Sequence, residues 1–123
     1  MAVRGIRGAT TAISNTPQDI LAATTQLLLA LVQANGASVD DIASIYFTMT
    51  SDLDAAYPAR AARELGWSAM PLMDAQAPRV KGDVPHCIRV LIHWNTERTP
   101  NEIRHIYLQG AKHLRPDLLQ ASL

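Results

Sequence analysis

Lysine is nearly absent from this chain, and so is any excess of charge. Only Lys81 and Lys112 are lysines; the remaining basic residues are nine arginines, and 11 acidic residues balance the 11 basic ones to a formal net charge of zero. A nucleic-acid groove needs a positive stripe on a basic domain, so none is expected. Aromatic residues are scarce at 5%, which leaves Leu, Ile, Val and Ala to fill a core. The single cysteine, Cys87, excludes an internal disulfide and fits a reducing, cytoplasmic compartment. The longest apolar region, Ile20 to Ala34, is broken by Thr24, Thr25, Gln26 and Gln33, so it is too short and too polar to span a membrane. Met1 to Thr11 carries Arg4 and Arg7 with no apolar run behind them and does not read as a signal peptide.

What is present is a hydrophobic fraction of 48% over 123 residues, enough for one folded domain. We place that domain at residues 1–115, with a tail over 116–123. Ala2 to Thr11 reads as a strand in which Gly5 and Gly8 permit close backbone approach. Thr16 as N-cap, Pro17 at the first helical position and Asp19 in the first turn open a helix. Ile20, Thr24, Leu27, Leu28 and Leu31 continue it at helical spacing, and Asn35-Gly36 stops it, giving a helix over 17–34.

Ile42 to Thr50 is β-branched and aromatic, which predicts a strand. Ser51 to Ala55 reads as a loop, and a short helix runs from Pro58 through Leu65. Ala69 to Met73 reads as another short strand, and Asp74 to Pro85 as a loop or irregular edge. His86 to Asn95 alternates, with Ile88, Val90, Ile92 and Trp94 on one face and Cys87, Arg89, Leu91 and His93 on the other. Thr99-Pro100 with Glu102 opens a turn, and Ile103 to Leu114 fits helix and strand equally. The expected fold is α+β: a single mixed sheet with one long helix and short helices on one face. The uncovered face of so small a domain predicts an oligomer.

The arginines carry the chemistry. Arg is favoured where a planar fork must hold a carboxylate. Arg7 stands between glycines and Arg89 within an apolar strand, so each needs a carboxylate, backbone carbonyls or a ligand. An internal ion pair with Glu64 or Asp74 would satisfy either one. Arg60 and Arg63 share a helix face, and Arg60 can also pair with Glu64 four residues on. His86, His93, His105 and His113 lack metal-ligand spacing, and no nucleotide loop or nucleophile motif occurs, so no metal and no cofactor are expected. Tyr107 fits a hydrogen-bond donor or a half-buried ring. The residues themselves describe a small oligomer that holds a polycarboxylate through Arg, whether for catalysis by positioning and electrostatics or for passive binding.

Several blocks sharpen this. Arg4-Gly5-Ile6-Arg7-Gly8-Ala9-Thr10-Thr11 resembles the opening of the monofunctional, AroH-type chorismate mutases of bacteria. The resemblance continues through Asp52-Leu53, Tyr57-Pro58-Ala59-Arg60-Ala61-Ala62-Arg63-Glu64-Leu65, Cys87-Ile88-Arg89-Val90, Ile103-Arg104-His105-Ile106-Tyr107-Leu108 and Leu114-Arg115-Pro116-Asp117-Leu118. It implies a homotrimeric pseudo-α/β barrel with active sites between subunits, and it implies that His105 to Leu114 is largely strand. It implies the pericyclic rearrangement of chorismate to prephenate, on the route to phenylalanine and tyrosine.

By position, the resemblance implies that Arg89 faces the ether oxygen of the substrate. Arg7 holds a substrate carboxylate near the reacting bonds, and Tyr107 hydrogen-bonds a carboxylate. Arg63 and Arg115 stand at the entrance and Leu114 closes the site, while Tyr57, Ala59, Arg60 and Met73 complete the wall. Where the family often has a Glu that accepts from the ring hydroxyl and faces the active-site Arg, this chain has Ala77. Asp74, three residues earlier, is expected to supply that carboxylate. Two other functions fit the residues: a trimeric imine or enamine deaminase of related architecture, and a non-catalytic, Arg-based trimer that binds aromatic precursors.

Overall fold

A computed structural model describes residues 1–114. Arg115 and the tail expected over 116–123 lie outside the described residues. The first strand, β1 (Ala2–Thr11), leads into a long helix, α1 (Pro17–Asn35). Its start follows from its cap: the Thr16 side chain accepts a hydrogen bond from the Asp19 backbone N–H at 3.2 Å, and Pro17 needs no partner for a missing N–H. Its end is Gly36 at φ 59°, a left-handed conformation that glycine adopts without a Cβ penalty.

There follow β2 (Ile42–Met49), a short helix α2 (Ala59–Glu64), β3 (Leu72–Gln76), β4 (Cys87–Thr96) and β5 (Ile106–Tyr107). The strands form one sheet in the order β3-β2-β4-β1-β5. β4 runs antiparallel to both β1 and β2, while β3 joins β2 and β5 joins β1 in parallel. This is the α+β sheet that the alternating segments predict.

The core sits under α1. Leu27, Leu28 and Leu31 of the helix pack with Ile6, Ile45, Phe47, Val90 and Ile92 of the sheet, and Trp67 and Met70 close the cluster beside α2. Burying each large apolar side chain contributes about 1.5–3 kcal/mol, so this face carries the fold. Gly8 lets helix and strands meet. A Cβ there would lie 2.9 Å from Leu31 Cδ1 and 3.1 Å from the Ile106 carbonyl oxygen.

Two segments differ from expectation. The third strand lies at Leu72–Gln76 rather than Ala69 to Met73, so Asp74 is in the sheet and not in a loop. Pro71 stands immediately before it, and its carbonyl takes the Ile45 N–H at 3.0 Å. Pairing with β2 therefore fixes this strand, although Asp74-Ala75-Gln76 has little strand propensity. The stretch His105 to Leu114 is not largely strand: β5 is two residues long and a 3-10 turn, Gln109–Ala111, follows. Gln109 takes a positive φ of 52°, which breaks the extended run.

Candidate functional site

Registered partners in a sheet point to the same side. Arg7 is level with Leu91, and Leu91 with Tyr46, which is level with Met73. The next row on that side is Ala9, Arg89, Thr48 and Ala75. Among the described residues no α-helix lies over this face. Tyr46 is 44% and Met73 56% exposed. Among the described residues, cover comes at one end, where Tyr107 and Ala111 pack on Ala9 and Cys87, with Leu114 alongside. Beside that cover lies a cleft of about 450 Å³, into which Arg7, Arg89, Tyr107 and Leu114 project. Its size suits a small organic ligand.

The two arginines are held differently. Arg89 donates from Nη2 to Asp83 Oδ1 at 3.0 Å, so its internal ion pair exists, but the partner is neither Glu64 nor Asp74. The Val84 backbone N–H and the Arg89 guanidinium together hold the Asp83 carboxyl below the usual carboxylate range. Arg7 is exposed rather than buried, and among the described residues its guanidinium has no ion pair. Its backbone is fixed instead: the Arg7 N–H donates to His105 Nδ1 at 2.9 Å. Cys87 is fully buried, and burial pushes its thiol pKa up, so it is a packing group and not a nucleophile.

A second cleft, of about 520 Å³, opens at the β3 edge below the start of α2 and is lined by Tyr57, Arg60 and Asp74 among others. Asp74 pairs in register with Phe47 on the helix-covered side, and its Oδ1 accepts the Ala59 N–H at 2.9 Å. Burial raises its pKa, against the opposing effects of that hydrogen bond and of nearby Arg63. Arg60 pairs with Glu64 at 3.1 Å across two half-exposed side chains, as the i,i+4 spacing allows; such a pair contributes little to stability. Asp74 and Arg89 thus lie on opposite faces of one sheet. Within one chain Asp74 therefore does not reach Arg89, whose carboxylate partner is Asp83.

The family model for chorismate mutase type I matches residues 3–118. The chain belongs to the chorismate mutase type I family. It is 48% identical over 120 residues to chorismate mutase AroH of Thermus thermophilus, covering 97% of this chain and 98% of the relative. It is 41% identical over 119 residues to chorismate mutase AroH of Bacillus subtilis (strain 168), covering 96% and 94%. A solved chorismate mutase from Clostridium thermocellum superposes with a TM-score of 0.87 at 49% identity, over 89% of this chain and 97% of that one.

Within this chorismate mutase fold, the site residues expected from the sequence fall into two groups. Arg7, Arg89, Tyr107 and Leu114 come together in the open-face cleft. Tyr57, Arg60 and Asp74 come together at the β3 edge, with Ala59 bound to Asp74 and Arg63 close to it. The two clefts share no lining residue. Met73 lies exposed on the open face and lines neither, and Arg115 is outside the described residues. Sequence reasoning missed Asp83, since a partner six residues away across a loop leaves no periodic signal. It also missed His105 as the acceptor that fixes Arg7.

Proposed function

We propose that this protein converts chorismate to prephenate, as a cytoplasmic enzyme of phenylalanine and tyrosine biosynthesis. The observation that carries the reading is the convergence of Arg7, Arg89 and Tyr107 on one cleft, where the described residues of the same chain contribute no Ser, Cys, Lys or carboxylate. The rearrangement is one concerted step in which the ether C–O bond breaks as a C–C bond forms. It needs no nucleophile, metal or proton transfer. What it needs is a flexible dianion held compact, and a cation where negative charge develops on the ether oxygen. Arg89 is that cation. Arg7 and Tyr107 hold carboxylates, and Leu114 excludes water. The lone, buried Cys87 supports a reducing compartment, and no helix among the described residues is long and apolar enough to cross a membrane.

The assembly we propose is a homotrimer with its sites between subunits. One sheet cannot turn both groups of residues toward one ligand, because Asp74 and Arg89 face opposite sides. In the trimer, one subunit brings Arg7, Arg89, Tyr107 and Leu114. Its neighbour brings Tyr57, Ala59, Arg60, Arg63 and Asp74. Asp74 there accepts from the ring hydroxyl, which replaces the carboxylate absent at Ala77. The test is a turnover assay on purified protein: chorismate absorbance falls as prephenate forms, and the active species sediments as a trimer. Binding of chorismate without conversion supports the passive trimer instead, and turnover of an imine or enamine supports the deaminase.

A further inference from the structure

Arg89 enters its cleft already gripped. Asp83 Oδ1, its partner at 3.0 Å, also accepts the Val84 N–H at 2.8 Å, and the Asp83 N–H is tied to the Val80 carbonyl at 3.1 Å. One carboxylate oxygen therefore joins a fixed turn to the guanidinium. Both side chains are largely shielded, Arg89 at 33% and Asp83 at 24% exposure. Asp83 does not line the cleft that holds Arg7, Arg89 and Tyr107; it lines two neighbouring depressions. It holds the guanidinium from outside the ligand space.

We propose that Asp83 is a positioning residue for the rearrangement, which fixes the plane of the Arg89 guanidinium so that its remaining N–H donors face the substrate ether oxygen. The proposal rests on the reading of Arg89 as the cation at that oxygen. A guanidinium has five donors in a rigid planar fork. Occupying one from behind fixes the direction of the others, and a donor aimed before the reaction is worth more than one that must reorient during it. Asp83 has a second effect. Arg7 projects into the same cleft, level with the residue two positions from Arg89. Two cations facing an empty cleft repel each other, and the Asp83 carboxylate offsets that repulsion from outside the space a dianion must enter. Asp74 of the same chain does neither, since it lies across the sheet against Ala59.

The experiment is steady-state kinetics of chorismate turnover by the full chain and by Asp83→Ala, Asp83→Asn, Arg89→Ala and the Asp83→Ala/Arg89→Ala pair, each checked for trimer mass and melting temperature. Misaiming a group by about an ångström costs as much as 100-fold, so Asp83→Ala should lose roughly 10- to 100-fold in kcat, with KM changed far less. Asp83→Asn keeps an oxygen acceptor for both Val84 and Arg89, and should recover most of the loss. In the Arg89→Ala background, Asp83→Ala should cost nothing more, because the group it positions is gone. Unchanged kcat in Asp83→Ala overturns the proposal, as does a loss that simply adds to that of Arg89→Ala. A parent enzyme that turns over no chorismate overturns the functional reading itself and this proposal with it, whereas an active parent with an equally active Asp83→Ala overturns the proposal alone.

Discussion

The strands β1, β2 and β4 present two faces built on the same two-residue period and filled in opposite ways. On the side under α1, Ile6, Ile45, Phe47, Ile88 and Ile92 are shut from solvent, and the helix supplies their partners. On the other side, the same strands alternate to Arg7, Tyr46, Arg89 and Leu91, half open to solvent and, among the described residues, covered at the Tyr107 end. The first face is complete within one chain. Among the described residues, the second carries a cation without an ion pair and a row of apolar side chains without a cover. Alternation lets a ten-residue strand such as β4 serve both faces, so stability and chemistry are interleaved residue by residue rather than divided between segments.

That contrast breaks most sharply by substitution on neighbouring strands. Phe47→Ala deletes a fully buried ring from the closed face and should cost about 3–5 kcal/mol of stability, measured by denaturant unfolding, with kcat per folded molecule preserved. Arg89→Ala, on the open face, should behave in reverse. It removes a donor aimed at developing charge, which raises the barrier by about 2.7–4 kcal/mol, roughly 100- to 1000-fold in kcat. Its oligomeric state and melting temperature should persist. If Arg89→Ala keeps nearly full turnover, its role is structural and the two faces do not differ as described.

The closed face was the legible one. Caps at Thr16 and Gly36 and the spacing of Ile20, Thr24, Leu27, Leu28 and Leu31 define α1 to within a residue of its observed end. The split of Ile88, Val90, Ile92 and Trp94 from Arg89, Leu91 and His93 is the observed burial pattern of β4. Local chemistry specifies these elements, so a local reading finds them. What stayed hidden depends on distant partners. β3 exists because β2 offers it a ladder. The pairing of Arg89 with Asp83 needs the loop path before it.

Asn35 shows the same limit. As sequence it is a helix-stop residue; in the structure it is fully buried and clamps the backbone of Arg104, just before β5. Its Nδ2 donates to the Leu31 and Arg104 carbonyls at 2.8 and 2.9 Å, and its Oδ1 accepts the Arg104 N–H at 2.8 Å. Asn35→Ala strands both Arg104 backbone groups and should cost about 1–3 kcal/mol. Because Arg104 leads into His105 and Tyr107, thermal unfolding and KM should both respond. A loss of stability with KM untouched would confine Asn35 to the closed face.

The smallest expected effect lies at Asp74, which the proposed trimer would set opposite the Arg89 face of a neighbouring subunit. Burial raises its pKa above the ordinary carboxylate value, against the Ala59 hydrogen bond and Arg63. A native-state pKa above that of the unfolded chain means that the folded form holds the proton more tightly. The stabilising contribution of this group is then present at pH below the unfolded pKa and is lost as pH rises through the folded pKa. Asp74→Asn keeps an oxygen for the Ala59 N–H and carries no charge to desolvate. Relative to the parent, the melting temperature of the variant should therefore improve as pH rises from about 3 toward neutrality and then level off. Turnover should move the other way, since an amide accepts less strongly than a carboxylate from the substrate hydroxyl, and the loss should be larger in Asp74→Ala. Parent-like turnover in Asp74→Ala would leave Asp74 as a helix-edge hydrogen bond and remove it from the active site.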